Sequence, residues 1–351
     1  MDPARSMPRD LAHPPRLEKG TVAAPWMRHV ADFLEEQGLN ARWLFAAAGL
    51  SLADTDDADH RFPVRQVDLL WHLSATQAAE PFIALRAGPS RPPRAFDTLA
   101  YAMMSCDTLG AALDRLITYS WAVSDAVFLT CEKDERGWTI LVQPIEPEAP
   151  GRSQRLDYTL VTFLHFCRWL TGTRIGPLDI RLPYEAPADL RLLRLAFDVT
   201  PVFSSPRHAV TLSLADVALP LQTANARLAQ VHEAVIAQRI VDLKESGFER
   251  VFYASLVRRI ASGEVRRASV AADLFMSDRT LQRRMADRGV SFKSAVDEAR
   301  RRMAMAYLRD PAVPLAIIGD LLGFGESSTL YRACRRWFGE TPKKARERAL
   351  G

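Results

Sequence analysis

Two stretches near the end of the chain decide its fold. The first is Ala268-Ser-Val-Ala-Ala-Asp-Leu-Phe-Met276 followed by Ser277-Asp-Arg-Thr-Leu-Gln-Arg-Arg-Met285. The second is Leu315-Ala-Ile-Ile-Gly-Asp-Leu-Leu-Gly323 followed by Ser327-Ser-Thr-Leu-Tyr-Arg-Ala-Cys-Arg-Arg-Trp337. Each stretch predicts a short helix, a tight turn and a second, polar helix, which is the helix-turn-helix pattern. One such pair is weak evidence because amphipathic helix pairs are common, but two in series on a basic background are strong evidence.

The second helix of each pair carries residues suited to reading DNA. In the first pair, Leu281 and Met285 face inward, and we expect Arg279, Gln282 and Arg283 to contact bases from the opposite face. Arginine can hydrogen-bond guanine, and glutamine can hydrogen-bond adenine, in the major groove. The outward residues of the second pair are Ser327, Ser328, Thr329 and Arg332. For the hydroxyl residues, capping of the helix is an alternative to base contact, because Ser and Thr cap helices routinely.

The spacing of the two units supports a single DNA-binding module. A helix predicted from Ser291 to Arg309 joins them, and at 1.5 Å per residue it is about 28 Å long. One turn of B-DNA is roughly 34 Å, so this rod suits two recognition helices in adjacent major grooves. Arg300, Arg301 and Arg302 on this helix have two interpretations, a phosphate clamp or a solvated face of the linker helix.

The charge of the chain is divided unevenly between its parts. Of the 351 residues, 46 are basic and 42 acidic, which gives a net charge of only +4. Residues 249–351 alone have a net charge of +9, and the residues before them have −5. A basic final third on an acidic body indicates that this third meets a polyanion. We therefore assign residues 249–351 to an all-α DNA-binding domain with two helix-turn-helix units.

The earlier residues predict a different architecture. Residues 1–20 lack periodicity and predict a flexible leader. Residues 21–220 predict helices first and then short strands mixed with helices, which indicates an α+β domain. A linker helix is predicted over residues 221–248. Its apolar stripe is either a dimer seam or a surface packed on its own domain; the stripe is Leu228, Val231, Val235, Ile236, Ile240 and Leu243.

The front domain offers weaker site candidates than the basic third. Trp121, Tyr158, His165 and Trp169 are candidate effector-binding residues, and a plain core role is the alternative. No catalytic motif of the common hydrolases, kinases or metalloproteases is present, and the four cysteines lack metal-ligand spacing. No stretch is apolar over a length that would span a bilayer. We expect a cytoplasmic protein without enzymatic activity, metal or cofactor.

The same residues carry a family resemblance. The landmarks are the stretch from Ser277, Gly289-Val-Ser-Phe292, Arg300-Arg-Arg-Met-Ala304, Leu322-Gly-Phe324 and Arg335-Arg-Trp-Phe-Gly-Glu-Thr-Pro342. In this order they resemble the double helix-turn-helix domain of AraC-type transcription regulators. The stretches Phe62-Pro-Val-Arg65, Tyr101–Gly110 and Phe197–Phe203 resemble the effector domain of the ornithine- and arginine-regulator branch, which is not a cupin barrel. Gly319, Thr329-Leu330 and Ala345 depart from the usual family residues.

The resemblance implies a function and several partners. It implies a ligand-responsive regulator that binds promoter double-stranded DNA, meets RNA polymerase and dimerises, and it favours activation over repression. The effector would be an amino acid or another small metabolite. Phosphate contacts are implied for Arg335, Arg336 and Lys343. Two alternatives stay open: an enzyme or DNA-repair protein that uses this domain for targeting, and a regulator that needs no effector.

Overall fold

The computed structural model describes residues 20–88, 93–144, 149–205, 207–242, 245–309, 313–324 and 327–350. The predicted leader, apart from Gly20, lies outside the described residues. Within them the chain forms helices and two small sheets in its first two thirds and helices alone thereafter. The predicted fold class, an α+β front part and an all-α back part, is therefore confirmed.

The front part has eight helices and six strands among the described residues. The helices are α1 (Ala24–Glu36), α2 (Ala41–Ala47), α3 (Val64–Gln77), α4 (Pro93–Met104), α5 (Leu109–Tyr119), α6 (Arg152–Thr171), α7 (Arg191–Phe197) and α8 (Leu214–Val217). The strands are β1 (Thr21–Ala23), β2 (Arg61–Pro63), β3 (Val127–Lys133), β4 (Gly137–Pro144), β5 (Asp179–Arg181) and β6 (His208–Ser213). Strands β1 and β2 pair with each other, and the other four form one antiparallel sheet in the order β3-β4-β6-β5.

A tight hairpin sets the register of the central sheet. The Asp134 carboxylate accepts hydrogen bonds from the backbone N–H groups of Arg136 and Gly137 at 2.8 and 3.0 Å. This Asx-type turn places Cys131 opposite Ile140, which in turn pairs with Val210 on β6. Ile140 and Val210 are buried, so the middle strands form the floor of the front domain.

Helix α6 is buried between two layers. On one side Tyr158 packs against Phe33 of α1 and Trp71 of α3, with ring centroids 5.0 and 4.8 Å apart. On another side Thr159 and Phe163 face the sheet. Because α6 is covered on both sides, its buried residues include the polar Arg155 and Asp157 as well as apolar side chains.

The back part consists of seven helices within the described residues. They are α10 (Glu245–Ala261), α11 (Arg267–Asp273), α12 (Asp278–Ala286), α13 (Phe292–Leu308), α14 (Leu315–Leu321), α15 (Ser327–Phe338) and α16 (Pro342–Leu350), and α9 (Ala226–Asp242) precedes them. The Ser291 hydroxyl accepts a hydrogen bond from Ser294 N–H at 3.0 Å, and the Ser294 hydroxyl accepts one from Ser291 N–H at 3.1 Å. This capping box begins α13 within one residue of the predicted start.

The predicted single linker helix over 221–248 differs from the structure. Helix α9 begins at Ala226 and is described to Asp242, residues 243–244 lie outside the described residues, and α10 runs from Glu245 to Ala261. Gly247 lies in the first turn of α10. The predicted boundary between residues 248 and 249 therefore falls inside a helix.

Substitution of Gly151 should destabilise the front domain. Its φ is +87°, and an added Cβ would lie 1.9 Å from the Asp68 carbonyl oxygen. We expect Gly151→Ala to lower the free energy of unfolding by at least about 2 kcal/mol, measured by urea denaturation. Gly176→Ala is the control, because nothing lies within 4 Å of that Cβ. Equal losses for the two variants would contradict this account of the start of α6.

Removal of the Asp273 carboxylate should loosen the first helix-turn-helix unit. Only 9% of this side chain is exposed. Burial alone would raise its pKa, but hydrogen bonds from Arg259 and Ser255 and the charge of Arg258 lower the pKa below its ordinary value. We expect Asp273→Asn to cost about 2–4 kcal/mol in the free energy of unfolding at pH 7.

The stability that Asp273 contributes should depend on pH, in a direction set by its lowered pKa. The depressed pKa stabilises the folded state above about pH 4 in the wild type, and this contribution is lost as the pH falls through the folded pKa. The difference in unfolding free energy between wild type and Asp273→Asn should therefore shrink below about pH 4 in urea titrations. Asp278→Asn, which removes an exposed partner of Arg267, should cost less because solvent screens that pair. A pH-independent difference would exclude the charged network as the cause.

Candidate nucleic-acid interface and internal cavity

Helix α12 presents the predicted base-reading residues to solvent. The Ser277 hydroxyl accepts a hydrogen bond from Thr280 N–H at 3.1 Å, which begins the helix. Leu281 is fully buried, whereas Gln282 and Arg283 are exposed. Arg279, the third predicted residue, is also exposed. The structure thus brings the three together on one open face.

A pair of charged side chains ties α12 to α11. The Arg267 guanidinium donates to the Asp278 carboxylate at 2.6 and 2.7 Å. The hydrogen bonds from Arg267 lower the pKa of Asp278 below its ordinary value. The turn between the helices contains Phe275 at φ +50°, and its ring stacks on Tyr119 of α5 with centroids 5.7 Å apart. The first unit therefore rests directly on the front domain.

Helix α15 presents a smaller set of the predicted residues. Leu330 and Cys334 are buried as predicted, and Arg332 is exposed. Thr329 is half-buried, and its hydroxyl accepts a hydrogen bond from the Arg332 guanidinium at 3.4 Å. The side chains of Ser327 and Ser328 lie outside the described residues.

Within the described residues, two of the three predicted phosphate-contacting residues have no ion-pair partner, and the third has one. Arg335 and Lys343 are exposed. Arg336 forms an ion pair with Asp297 of α13, and the same carboxylate accepts a hydrogen bond from the Trp337 indole N–H at 2.9 Å. Asp297 therefore fixes α15 on α13, and no local sequence pattern distinguished it.

Of the three consecutive arginines of α13, Arg300 serves the packing of the domain, whereas Arg301 and Arg302 pair with a carboxylate of their own helix. Arg300 donates to the carbonyl oxygen of Leu322 at 2.9 Å and stacks over the Phe324 ring. Arg301 and Arg302 both donate to Glu298 at 2.7 Å. The role of Arg300 depends on the tertiary structure, because the turn after α14 supplies the carbonyl groups that accept its hydrogen bonds.

Another arginine, which the sequence did not indicate, connects α16 to the end of α13 and the start of the second unit. Arg346 of α16 donates to the carbonyl oxygens of Tyr307 and Val313 at 3.2 and 2.6 Å. These bonds satisfy the C-terminal end of α13 and the entry to α14, where carbonyl groups lack intrahelical partners. The linker helix α13 spans 17 residues, or about 25 Å, close to the predicted rod.

A cavity lies between the sheet and the helices of the front domain. Its volume is about 60 Å³, several times the ~10–15 Å³ that one water molecule needs. Apolar walls come from Trp26, Leu116, Leu129 and Phe163, and Arg155 is also among the lining residues. The sequence places a candidate effector cavity between sheet and helices, and the binding of an effector there stays a prediction.

The four predicted effector residues lie elsewhere. Tyr158 is buried in the aromatic cluster of α1, α3 and α6. His165 bonds the carbonyl oxygen of Ala87 at 3.1 Å, and burial lowers its pKa. Trp169 stacks on Phe166 and is 42% exposed, and Trp121 is half-buried. The described lining residues of the cavity that belong to α6 are Arg155, Thr159, Leu160 and Phe163, and their face of the helix lies about a third of a turn from the predicted face.

The cysteines have the chemistry of packed thiols. Burial raises the pKa of Cys131 to about 12 and that of Cys334 to about 11. Burial also raises the pKa of Cys167. Since the thiolate is the reactive form, these three residues are poor nucleophiles. Within the described residues, no helix is long and apolar enough to cross a membrane.

Comparisons with known proteins match both parts of the chain. The family described as "Arabinose-binding domain of AraC transcription regulator, N-term" matches residues 38–221, and a helix-turn-helix domain family matches residues 270–348. The ornithine utilization regulator of Pseudomonas aeruginosa is 26% identical over 330 residues, which cover 93% of this chain and 96% of the relative. The regulator VirS of Mycobacterium tuberculosis is 36% identical over 114 residues, 32% of this chain and 30% of that one.

A solved structure covers nearly the whole chain. The transcriptional regulator CdpR from Pseudomonas aeruginosa is 20% identical, covers 92% of this chain and 98% of its own, and has a TM-score of 0.45. Within the described residues, the region that matches the first family contains an open four-stranded sheet. The first family matches more than half of the chain, and a helix-turn-helix domain family matches residues C-terminal to it. The chain therefore belongs to the AraC family of transcription regulators.

Proposed function

We propose that this protein regulates transcription by reading two adjacent major grooves of promoter DNA under the control of a small-molecule effector. The observation that carries the proposal is the open face of α12, where Arg279, Gln282 and Arg283 are exposed over a buried anchor. A helix held at its N-terminus by a cap and a salt bridge presents such side chains with little loss of entropy.

The second unit extends the site along the duplex. Helix α13 is a rod of about 25 Å, and Asp297 and Arg346 fix α15 and α16 on it. We assign base contacts to Thr329 and Arg332, and the prediction for Ser327 and Ser328 is kept. Arg335, Arg336 and Lys343 contact phosphates of the DNA backbone. To do so, Arg336 gives up its ion pair with Asp297.

The effector occupies the cavity of the front domain. Leu116, Ser120, Val127 and Leu129 line it, and they belong to α5, the short turn after it and β3. These elements also contact the back part of the chain, where Phe128 packs on Tyr253 of α10 with ring centroids 5.7 Å apart. A ligand in the cavity therefore acts by shifting populations between arrangements of α5 and β3 that hold α10 differently, for which it needs different affinities for the two.

Two further parts of the proposal concern partners. The protein forms a homodimer through α9, where Leu228, Val231 and Val235 are 44–52% exposed; the side chain of Ile240 and all of Leu243 lie outside the described residues. It acts in the cytoplasm as an activator that contacts RNA polymerase, the mode that the family resemblance favours. The relatives are regulators, and the raised cysteine pKa values speak against the DNA-repair alternative.

Loss of Arg283 should relax DNA sequence preference. We expect Arg283→Ala to weaken binding to the cognate site by about 1–3 kcal/mol, and replacement of the contacted base pair should then cost little more. The measurement is a binding titration at fixed salt with cognate, substituted and random duplexes. Arg227→Ala, an exposed arginine of α9, is the control. Equal weakening on cognate and random DNA would remove Arg283 from the base-reading set.

Charges on the exposed face of α9 should disrupt the dimer. We expect Val231→Glu combined with Val235→Glu to raise the dimer dissociation constant by about 100-fold, because each buried carboxylate would lack a partner. Sedimentation equilibrium measures this directly. Gln230→Glu lies on another side of α9 and should leave the dissociation constant unchanged. A wild-type protein that is monomeric at all concentrations, or a double variant that dimerises normally, excludes this surface.

A further inference from the structure

One guanidinium in the wall of the front-domain cavity is only partly satisfied. Arg155 is 5% exposed, and its Nε donates to the Asp68 carboxylate at 2.5 Å. Its Nη2 is buried and has no hydrogen-bond partner among the described residues. Arginine has five N–H donors in a rigid fork, so one carboxylate on one edge leaves others free.

Leaving these donors unmet is costly. A buried polar group without a hydrogen-bond partner lowers the stability of the folded state by about 1–3 kcal/mol, and a charged group lowers it by more. Asp68 holds the guanidinium from the side of α3, and Arg155 lies in the lining of the cavity. Asp68 thus fixes the charged side chain of Arg155 beside an otherwise apolar space.

The rest of the cavity wall selects against other polar ligands. Of its described lining residues, most are apolar, and the other polar ones are Ser120, Ser124 and Thr159. The Thr159 hydroxyl already donates to the Arg155 carbonyl oxygen at 2.8 Å, and that of Ser124 donates to Thr21 at 3.1 Å. No acidic residue is among the described lining residues, so a ligand ammonium would be desolvated without a counter-charge.

We propose that the effector is a small carboxylic acid with an apolar body, and that its carboxylate binds Arg155 Nη2. This inference rests on the proposed effector function of the cavity and names the class of ligand. The carboxylate accepts a charge-assisted hydrogen bond from the free edge of the guanidinium, and the apolar body packs against Trp26, Leu129 and Phe163. A ligand with a second charged group, such as ornithine, fits this wall poorly.

The wider cleft between the front and back parts is a weaker candidate for this ligand. Its volume is about 270 Å³, and four of its charged lining residues form two pairs with one another. Lys133 bonds Asp114 at 3.0 Å, and Arg207 lies 3.8 Å from Glu132. A carboxylate there would compete with acidic groups that are already in place.

Titration calorimetry on the full-length protein tests the ligand class directly. The panel pairs 3-methylbutanoate, benzoate and phenylacetate with the matched alcohols 3-methylbutanol, benzyl alcohol and 2-phenylethanol, and adds L-ornithine and L-arabinose. We expect at least one carboxylate to bind about ten-fold or more tightly than its alcohol, because the charged hydrogen bond is absent from the alcohol.

Two variants locate the binding. Arg155→Gln with Asp68→Asn replaces the ion pair by a neutral hydrogen-bonded pair and should weaken carboxylate binding by about 10- to 100-fold. Thr159→Phe fills the cavity while the arginine stays, and it should abolish binding of carboxylates and alcohols alike. Arg194→Ala, an exposed arginine of α7, should change neither. If the double variant does not fold, the ligand panel on the wild type decides alone.

The outcomes separate this inference from the function on which it rests. Alcohols that bind as tightly as the acids, or ornithine or arabinose binding in place of the acids, would overturn the carboxylate assignment and leave the cavity as an effector site. Failure of every panel member would also overturn the assignment. Promoter affinity that responds to a dialysable host extract preserves the effector function in that case, and promoter affinity that responds to neither extract nor panel contradicts it.

Discussion

The carboxylate of Asp273 accepts hydrogen bonds from Ser255 and from Arg259, and it pairs with Arg258, so that α10 carries the first helix-turn-helix unit. The rest of the architecture depends on this contact because α10 has partners on two sides. Tyr253 packs on Phe128 of the sheet, and the Arg302 guanidinium of α13 lies over the same Tyr253 ring at 5.1 Å. Helix α10 thus contacts the sheet of the front domain, the first helix-turn-helix unit and α13.

This placement gives the proposed regulation a physical route. The inner faces of α5 and β3 line the cavity, and their neighbours Thr118, Tyr119 and Phe128 touch α10 and the turn before α12. Packed interfaces favour discrete arrangements over gradual deformation. A ligand that favours one arrangement of α5 and β3 would therefore bias the position of α12 as a unit, without contact between ligand and DNA.

Much of the DNA-binding part was predictable because its signals are local. Ser277 and Ser291 cap α12 and α13 as their spacing indicates, and the buried stripe of Leu281 and Met285 follows from helical periodicity alone. The front domain was predictable at the level of its elements, since hairpin and helix signals are also local. Its site residues were not, because α6 is buried on more than one side and periodicity cannot tell the face toward the cavity from the face toward α1 and α3.

The sequence by itself determined the family, the two helix-turn-helix units, the basic charge of the final third and the exposed face of α12. Each of these follows from residues that are close in the chain, within one helix or one turn. Only the tertiary structure decided that Arg300 and Arg346 bind carbonyl groups, that Asp297 holds α15, and that Arg155, a lining residue of the cavity, has a buried Nη2 without a partner among the described residues. These roles join residues far apart in sequence, and a side chain's hydrogen-bond partner depends on which distant backbone or carboxylate the fold brings within about 3 Å.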